Sequence, residues 1–350
     1  MLEMRTSLVP PPADTPPADD DLPVEPRELK IEVTAACNLA CEFCYQGDAL
    51  GQVEPHMPDD VVFPWIDWAV DNGLPAVRFT GGEPTLHPRL KVYCGYARLR
   101  QRFVILNTNG MAPPKQYQEL LPLVDDLRIS LPLLDARRLD ELTGGQGVLE
   151  RKLALIQQAL AAGVWQVCVL TPLLPENKGH LECFAKLAQT SSRLRWLPLR
   201  YEPTPRVPRP WTRGDAQEFV VEMAGLMERY PEQVTGIFLA APFCAVSPVE
   251  LGARVFHGRV AGCGPFRSLN VNARGRLQAC CCVREEWAEG MLVELQRRAD
   301  VKAVCSRAIL PEECQRCPYM SRCGGGCRKP EGMVLHGGRH IDYLASFVNE

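Results

Sequence analysis

Six short apolar or β-branched runs, at 30–33, 76–80, 103–106, 127–131, 165–170 and 194–199, are each followed by a stretch with helical spacing. Strands alternating with helices build a parallel sheet, and right-handed crossovers curl such a sheet into a full or partial barrel. The clearest helix puts Leu149, Leu153, Ile156 and Leu160 on one face and stops at Gly163. Another begins at Asp215, with Glu218 three residues on in a capping-box-like arrangement, and carries Phe219, Met223, Leu226 and Tyr230. The expected class is therefore α/β.

The unusual residues fall at the carboxyl ends of these strands. Cys37-Asn38-Leu39-Ala40-Cys41-Glu42-Phe43-Cys44 follows the first run as C-x3-C-x2-C. Gly81-Gly82-Glu83-Pro84 follows the second, Asn107-Thr108-Asn109-Gly110 the third, and Ser130 closes the fourth. In parallel barrels and open sheets that rim binds substrates and cofactors, so motifs distant in sequence meet around one cavity. Three thiolates on so short a loop can converge on one iron–sulfur cube. Such clusters usually take four cysteines, so one iron is left open, much as a catalytic zinc keeps a free position. A structural zinc or buried thiols are the alternatives from the cysteines alone.

With an aromatic residue, Phe43, before the last cysteine, and with Gly81-Gly82-Glu83-Pro84 after the second strand, the chain resembles the radical S-adenosylmethionine (radical SAM) enzymes. The resemblance implies a partial (β/α)6 TIM-like barrel. It also implies that Cys37, Cys41 and Cys44 hold a [4Fe-4S] cluster whose open iron is chelated by the amino and carboxylate groups of S-adenosylmethionine. Reductive cleavage of that cofactor would give a 5′-deoxyadenosyl radical that removes a hydrogen atom from substrate. Gly81 and Gly82 would allow close backbone approach, and Glu83 would offer its carboxylate to the methionine ammonium. Asn109 and Ser130 would hold the ribose or methionine end, and Asn177 resembles a loop asparagine that follows strand five in this group.

The tail carries a second pattern: Cys263, eleven residues, Gly275, four residues, Cys280, then Cys314-x2-Cys317-x5-Cys323-x3-Cys327. It resembles the SPASM extension of radical SAM enzymes, which binds auxiliary iron–sulfur clusters; read without the family, Cys314 to Cys327 suits a zinc knuckle equally well. The resemblance assigns Cys263, Cys280 and Cys327 to a first auxiliary cluster, with Cys244 as the near candidate for its fourth ligand. Cys314, Cys317 and Cys323 go to a second. The family supplies a further cysteine after the run, whereas this chain has none beyond Cys327, leaving His340, Asp342, Cys305 or an open site. Cys281 and Cys282 read as packed thiols, with a stand-in ligand or hydrogen-atom donor as the alternative. Cys94, Cys168 and Cys183 read as small core residues.

The 39 basic and 42 acidic residues nearly balance, which gives no electrostatic support for binding nucleic acid or a membrane surface. Sixteen cysteines could be disulfides in an oxidising compartment, but residues 1–21 lack the apolar core of a signal peptide and no run is long enough to span a bilayer. Metal ligation in the cytoplasm is the better account. The expected organisation is a Pro/Asp-rich arm at 1–28, a barrel at 29–240 and an auxiliary-cluster domain at 241–350. The activity that the resemblance implies is hydrogen-atom abstraction from a peptide or protein side chain, leading to crosslinking, oxidation or epimerisation. Its rivals are radical oxidation or rearrangement of a small metabolite such as an aminosugar or amino acid, and a zinc-ribbon binding protein that merely retains a barrel. A flavodoxin- or ferredoxin-type protein would supply electrons, and the auxiliary clusters would accept or relay them.

Overall fold

The structure, a computed structural model, describes residues 26–47, 56–204, 207, 209–258, 267–278, 280–281, 286–287, 310–327, 333–346 and 348. The arm at 1–28 falls almost wholly outside the described residues, as do Cys263, Cys282 and Cys305.

Six strands, β1 (Glu28–Thr34), β2 (Ala76–Gly81), β3 (Phe103–Thr108), β4 (Asp126–Ser130), β5 (Gln166–Leu173) and β6 (Leu194–Arg200), stand side by side in chain order. Each pairs in parallel with the next, for example through Ile31↔Phe79, Val77↔Val104, Leu106↔Leu127, Ile129↔Val169 and Leu170↔Leu197. Helices α1 (Asp59–Asp71), α2 (Leu90–Leu99), α3 (Pro114–Leu120), α4 (Ala136–Thr143), α5 (Val148–Ala161) and α6 (Glu182–Ala188) make the crossovers. Leu29, Ile31, Val33, Val77, Phe79, Val104, Leu106, Leu127, Ile129 and Val167 are all buried in one continuous core. This is the α/β parallel sheet expected of a partial barrel; in β1, β2 and β4 the core residues alternate with Glu28, Glu32, Arg78 and Asp126, which are buried on the opposite face.

The sheet does not end at β1. A seventh strand, β7 (Ser268–Val271), pairs with β1 in parallel through Leu29↔Leu269 and Ile31↔Val271, and β8 (Leu277–Gln278) and β9 (Glu286–Trp287) continue it antiparallel. Gly275 makes the turn between β7 and β8 at φ +76°, where its carbonyl accepts the indole N–H of Trp65 at 3.1 Å.

One local reading of the sequence is extended and another is corrected. In α5 the deepest side chains are Val148, Lys152, Leu155, Ile156 and Ala159, whereas Leu149, Leu153 and Leu160 are only partly buried. The inward face includes a lysine, which a hydropathy pattern assigns to solvent. The helix α7 (Arg213–Arg229) is capped by Thr212, whose hydroxyl accepts from Asp215 N at 3.0 Å while the Asp215 carboxylate accepts from Thr212 N at 2.7 Å. The capping box is therefore one turn earlier than Asp215–Glu218. Among the described residues no helix is long and apolar enough to cross a membrane.

Candidate active site at the carboxyl rim

The cysteine loop leaves β1 at Thr34 and is clamped from two sides. Thr34 O accepts from Gly82 N and Ala36 O accepts from Glu83 N, each at 2.8 Å. On the other flank Ala40 N donates to Thr143 O at 3.0 Å and Glu42 N to Leu142 O at 3.1 Å, at the end of α4. The two glycines are demanded by this packing: a Cβ on Gly81, itself at φ +141°, would lie 2.3 Å from Thr34 O, and one on Gly82 would lie 2.2 Å from Ala36 O. Backbone thus rests on backbone, and the second motif positions the first.

Cys37, Cys41 and Cys44 are partly exposed and none is in a disulfide. The three follow one another on a loop whose Cys44 N donates to Cys41 O at 3.2 Å. Burial pushes the Cys41 thiol up to about 12 against the pull of Lys152, so a bound cation is needed to ionise it. Among the described residues no three His, Cys, Asp or Glu side chains are placed to hold a single metal ion. Three unbridged thiols on one clamped loop are the type of donor that an iron–sulfur cluster takes.

Glu83 lies between the ends of β2 and β3. It is fully buried, and its Oε1 accepts from Thr85 N at 3.0 Å, Thr85 Oγ1 at 2.6 Å and Thr108 Oγ1 at 2.8 Å. Oε2 accepts from Asn109 N at 2.6 Å. Desolvation raises its pKa, and these hydrogen bonds oppose the rise. The carboxylate is a brace between the ends of β2 and β3. Pro84 starts the one-turn 3-10 helix Pro84–Leu86 behind it.

Asn109 reaches the cysteine loop directly: its Nδ2 donates to Asn38 Oδ1 at 2.8 Å and lies 3.9 Å from Cys37 Sγ. Ser130 sits at the end of β4, where its carbonyl accepts from Lys152 Nζ at 2.6 Å. Asn177 is buried, donates from Nδ2 to Pro132 O at 3.1 Å and Pro172 O at 3.2 Å, and has no hydrogen bond to its Oδ1 among the described residues. Lys152 was not singled out from the sequence. Only the tertiary structure brings its ammonium group under Asn109 and Ser130, 2.6 Å from each carbonyl.

The described tail cysteines have different surroundings. Cys327 N donates to Asp342 Oδ2 at 2.8 Å and Cys327 Sγ to Glu202 Oε2 at 3.1 Å, just beyond β6. Asp342 ends the hairpin of β10 (Met333–His336) and β11 (Arg339–Asp342) and forms a fully buried ion pair with Arg200. With Arg200, Cys327 N and Leu344 N all on its two oxygens, Asp342 is not available as a cluster ligand. His340 is exposed on the hairpin. Cys244 lies with Cys314, Cys317 and Cys323. Cys280 and Cys281 follow β8, and Cys281 adds to the burial that pushes Glu32 up to about 7. Cys94 and Cys168 are buried core residues, but Cys183 is exposed and donates to His180 O at 2.7 Å.

Comparison with known proteins matches residues 31–188 to the profile of the radical SAM superfamily. GTP 3′,8-cyclases from two strains of Corynebacterium glutamicum are 32% identical over 58% of this chain and 56% of the relative, and 31% identical over 74% of each. The first of these matches thus spans little more than half of the relative's length. A PqqA peptide cyclase of Xanthomonas axonopodis is 25% identical over 87% of this chain and 83% of its own. The solved structure of Streptococcus suis SuiB bound to precursor peptide SuiA superposes with a TM-score of 0.70 over 87% of this chain and 72% of that one. At 16% identity that likeness is one of fold.

Proposed function

The chain belongs to the radical SAM superfamily, and from that premise we propose that it removes a hydrogen atom from a peptide or protein side chain, as the first step of a crosslinking, oxidation or epimerisation. The family's [4Fe-4S] cluster and S-adenosylmethionine supply, when bound, the electron and the carbon-centred radical for that step. In this reading Cys37, Cys41 and Cys44 hold the cluster on the clamped loop. Gly81, Gly82, Pro84, Asn109 and Ser130 line the place of the nucleoside and methionine, with Glu83 and Lys152 fixing the backbone around them.

The observation that carries the peptide reading is extent. The match to the PqqA peptide cyclase takes in 87% of this chain, against 58% and 74% for the two GTP cyclases. It therefore runs on into the cysteine-rich tail, which the Arg200–Asp342 pair docks beside the end of β6, on the same rim as the cysteine loop. From there auxiliary clusters would accept the electron left on a product radical, and a flavodoxin- or ferredoxin-type donor would reduce the first cluster. The higher identity to GTP 3′,8-cyclases supports a second reading, radical rearrangement of a small metabolite such as a purine nucleotide.

The two readings separate in one experiment. The full chain, reconstituted without oxygen and reduced with dithionite, is given either a library of short peptides or GTP, and 5′-deoxyadenosine is measured. Release that rises with a peptide, together with a change in that peptide's mass, is expected. Release that rises only with GTP overturns the peptide reading.

A further inference from the structure

We propose that Cys244 is the fourth ligand of the cluster held by Cys314, Cys317 and Cys323, in place of a cysteine beyond the C-x2-C-x5-C run. The proposal rests on the reading of the tail as a carrier of auxiliary iron–sulfur clusters.

The run itself supplies three sulfurs from two short turns. Cys314 lies in α8 (Glu312–Gln315), Cys317 N folds back onto Cys314 O at 3.1 Å, and Cys323 ends α9 (Met320–Cys323). No cysteine follows Cys327 in the sequence, Asp342 is consumed by Arg200 and two backbone donors, and Cys327 turns to Glu202.

Cys244 comes to the same place from 70 residues upstream. It sits in the 3-10 turn Phe243–Ala245, and together with Cys317 it packs against the small apolar cluster that contains Cys314, Leu310, Met320, Ile341 and Ala345. Phe243 N, one residue before it, donates to Cys323 Sγ at 3.4 Å, and Cys323 feels the charges of both Cys244 and Cys317. Ser346 N donates to Cys244 Sγ at 3.5 Å. Backbone N–H groups aimed at sulfur are the contacts that stabilise cluster thiolates and tune their potential. The segment is also held firmly in register. A Cβ on Gly252 would lie 2.1 Å from Phe243 O, and one on Gly258, at φ +72°, 2.3 Å from Arg322 O. The chain carrying Cys244 and the helix carrying Cys323 are thus tied into one packed unit. Four thiols gathered in one packed unit are the donor set that an iron–sulfur cube takes. On ligation each thiol gives its proton to solvent as its sulfur–iron bond forms, and no electron is transferred.

The test uses the full chain with Cys37, Cys41 and Cys44 all changed to Ala, so that every iron signal comes from the tail, reconstituted without oxygen. Adding Cys244→Ala is expected to remove about one iron from that complement and to produce the spectrum of a three-iron cluster on oxidation, or to lose the whole cluster with an unchanged thermal melt. Cys244→Ser, which retains an oxygen ligand, should keep the iron count and shift the reduction potential. Iron, sulfide and spectrum unaltered by Cys244→Ala overturn the proposal alone. A triple-alanine parent that binds no iron overturns it together with the auxiliary-cluster reading.

Discussion

Lys152 Nζ donates to the carbonyl of Ser130 at 2.6 Å and, from the same ammonium group, to the carbonyl of Asn109 at 2.6 Å, which ties the ends of β4 and β3 together under the cysteine loop. The side chain is 1% exposed. Burial lowers its pKa to about 8, against the opposing charges of Cys41, Glu83 and Cys37.

Replacing Lys152 with Met should leave two buried carbonyls without this donor, at a cost of about 2–4 kcal/mol, and remove a positive charge beside the cluster site. The expected outcome is a lower melting temperature and a more negative midpoint potential, because the charge favours the reduced state. Potentiometric titration followed by EPR reads this directly. A potential equal to that of the unaltered protein would show that the ammonium serves structure alone.

Glu83→Gln keeps the shape but turns one acceptor into an NH2 group facing donors. Because Oε1 takes three donors and Oε2 takes Asn109 N, either amide orientation sets donor against donor. Destabilisation of about 1–3 kcal/mol is expected, with weaker binding of S-adenosylmethionine following from the disturbed β2 and β3 ends. Thermal melts and calorimetric titration with S-adenosylmethionine measure both. Loss of affinity with an unchanged melt would return the carboxylate to direct cofactor contact.

Acid should weaken the fold through the opposite end of the barrel. Burial would raise the pKa of Glu28, but Arg78, 2.6 Å away, with Arg128, Lys30 and Arg267, outweighs it and holds the carboxyl at about 2 against an ordinary 4.5. Since the folded value is depressed, this contribution of about 3 kcal/mol is complete above pH 4.5 and is lost as pH falls towards 2. Glu28→Gln should therefore be less stable than the parent at neutral pH, with the gap closing across that window. Urea unfolding at a series of pH values tests it; a constant gap would rule out linkage to Glu28.

Asp342→Asn should loosen the tail while leaving the barrel folded. Removing one charge from the buried pair with Arg200 costs about 3–5 kcal/mol, and the same carboxylate aligns Cys327 N and Leu344 N. Limited proteolysis is expected to cut within 310–346 ahead of the barrel strands. Equal resistance in parent and variant would show that the tail is held by other contacts.

The six barrel strands were legible because short apolar or β-branched positions such as Leu29, Ile31 and Val33 recur in each and a helical stretch follows, and the placing of Cys37, Gly81, Asn109 and Ser130 at their carboxyl ends followed from counting. Other features were hidden for identifiable reasons. The four residues of β7 are too few to signal a strand without β1 beside them, and Lys152 carries a charge that composition assigns to water. The sequence by itself therefore determined the order of strands and helices, and with it the rim on which the cysteine loop and the Gly-Gly-Glu-Pro turn lie, because local periodicity and spacing act over a few residues. Tertiary structure alone decided that Glu83 braces backbone, that Lys152 points inward, that Asp342 answers Arg200 and that Cys244 joins Cys323. Those partners are separated by 22 to 142 residues, and only the packed core sets which of them meet.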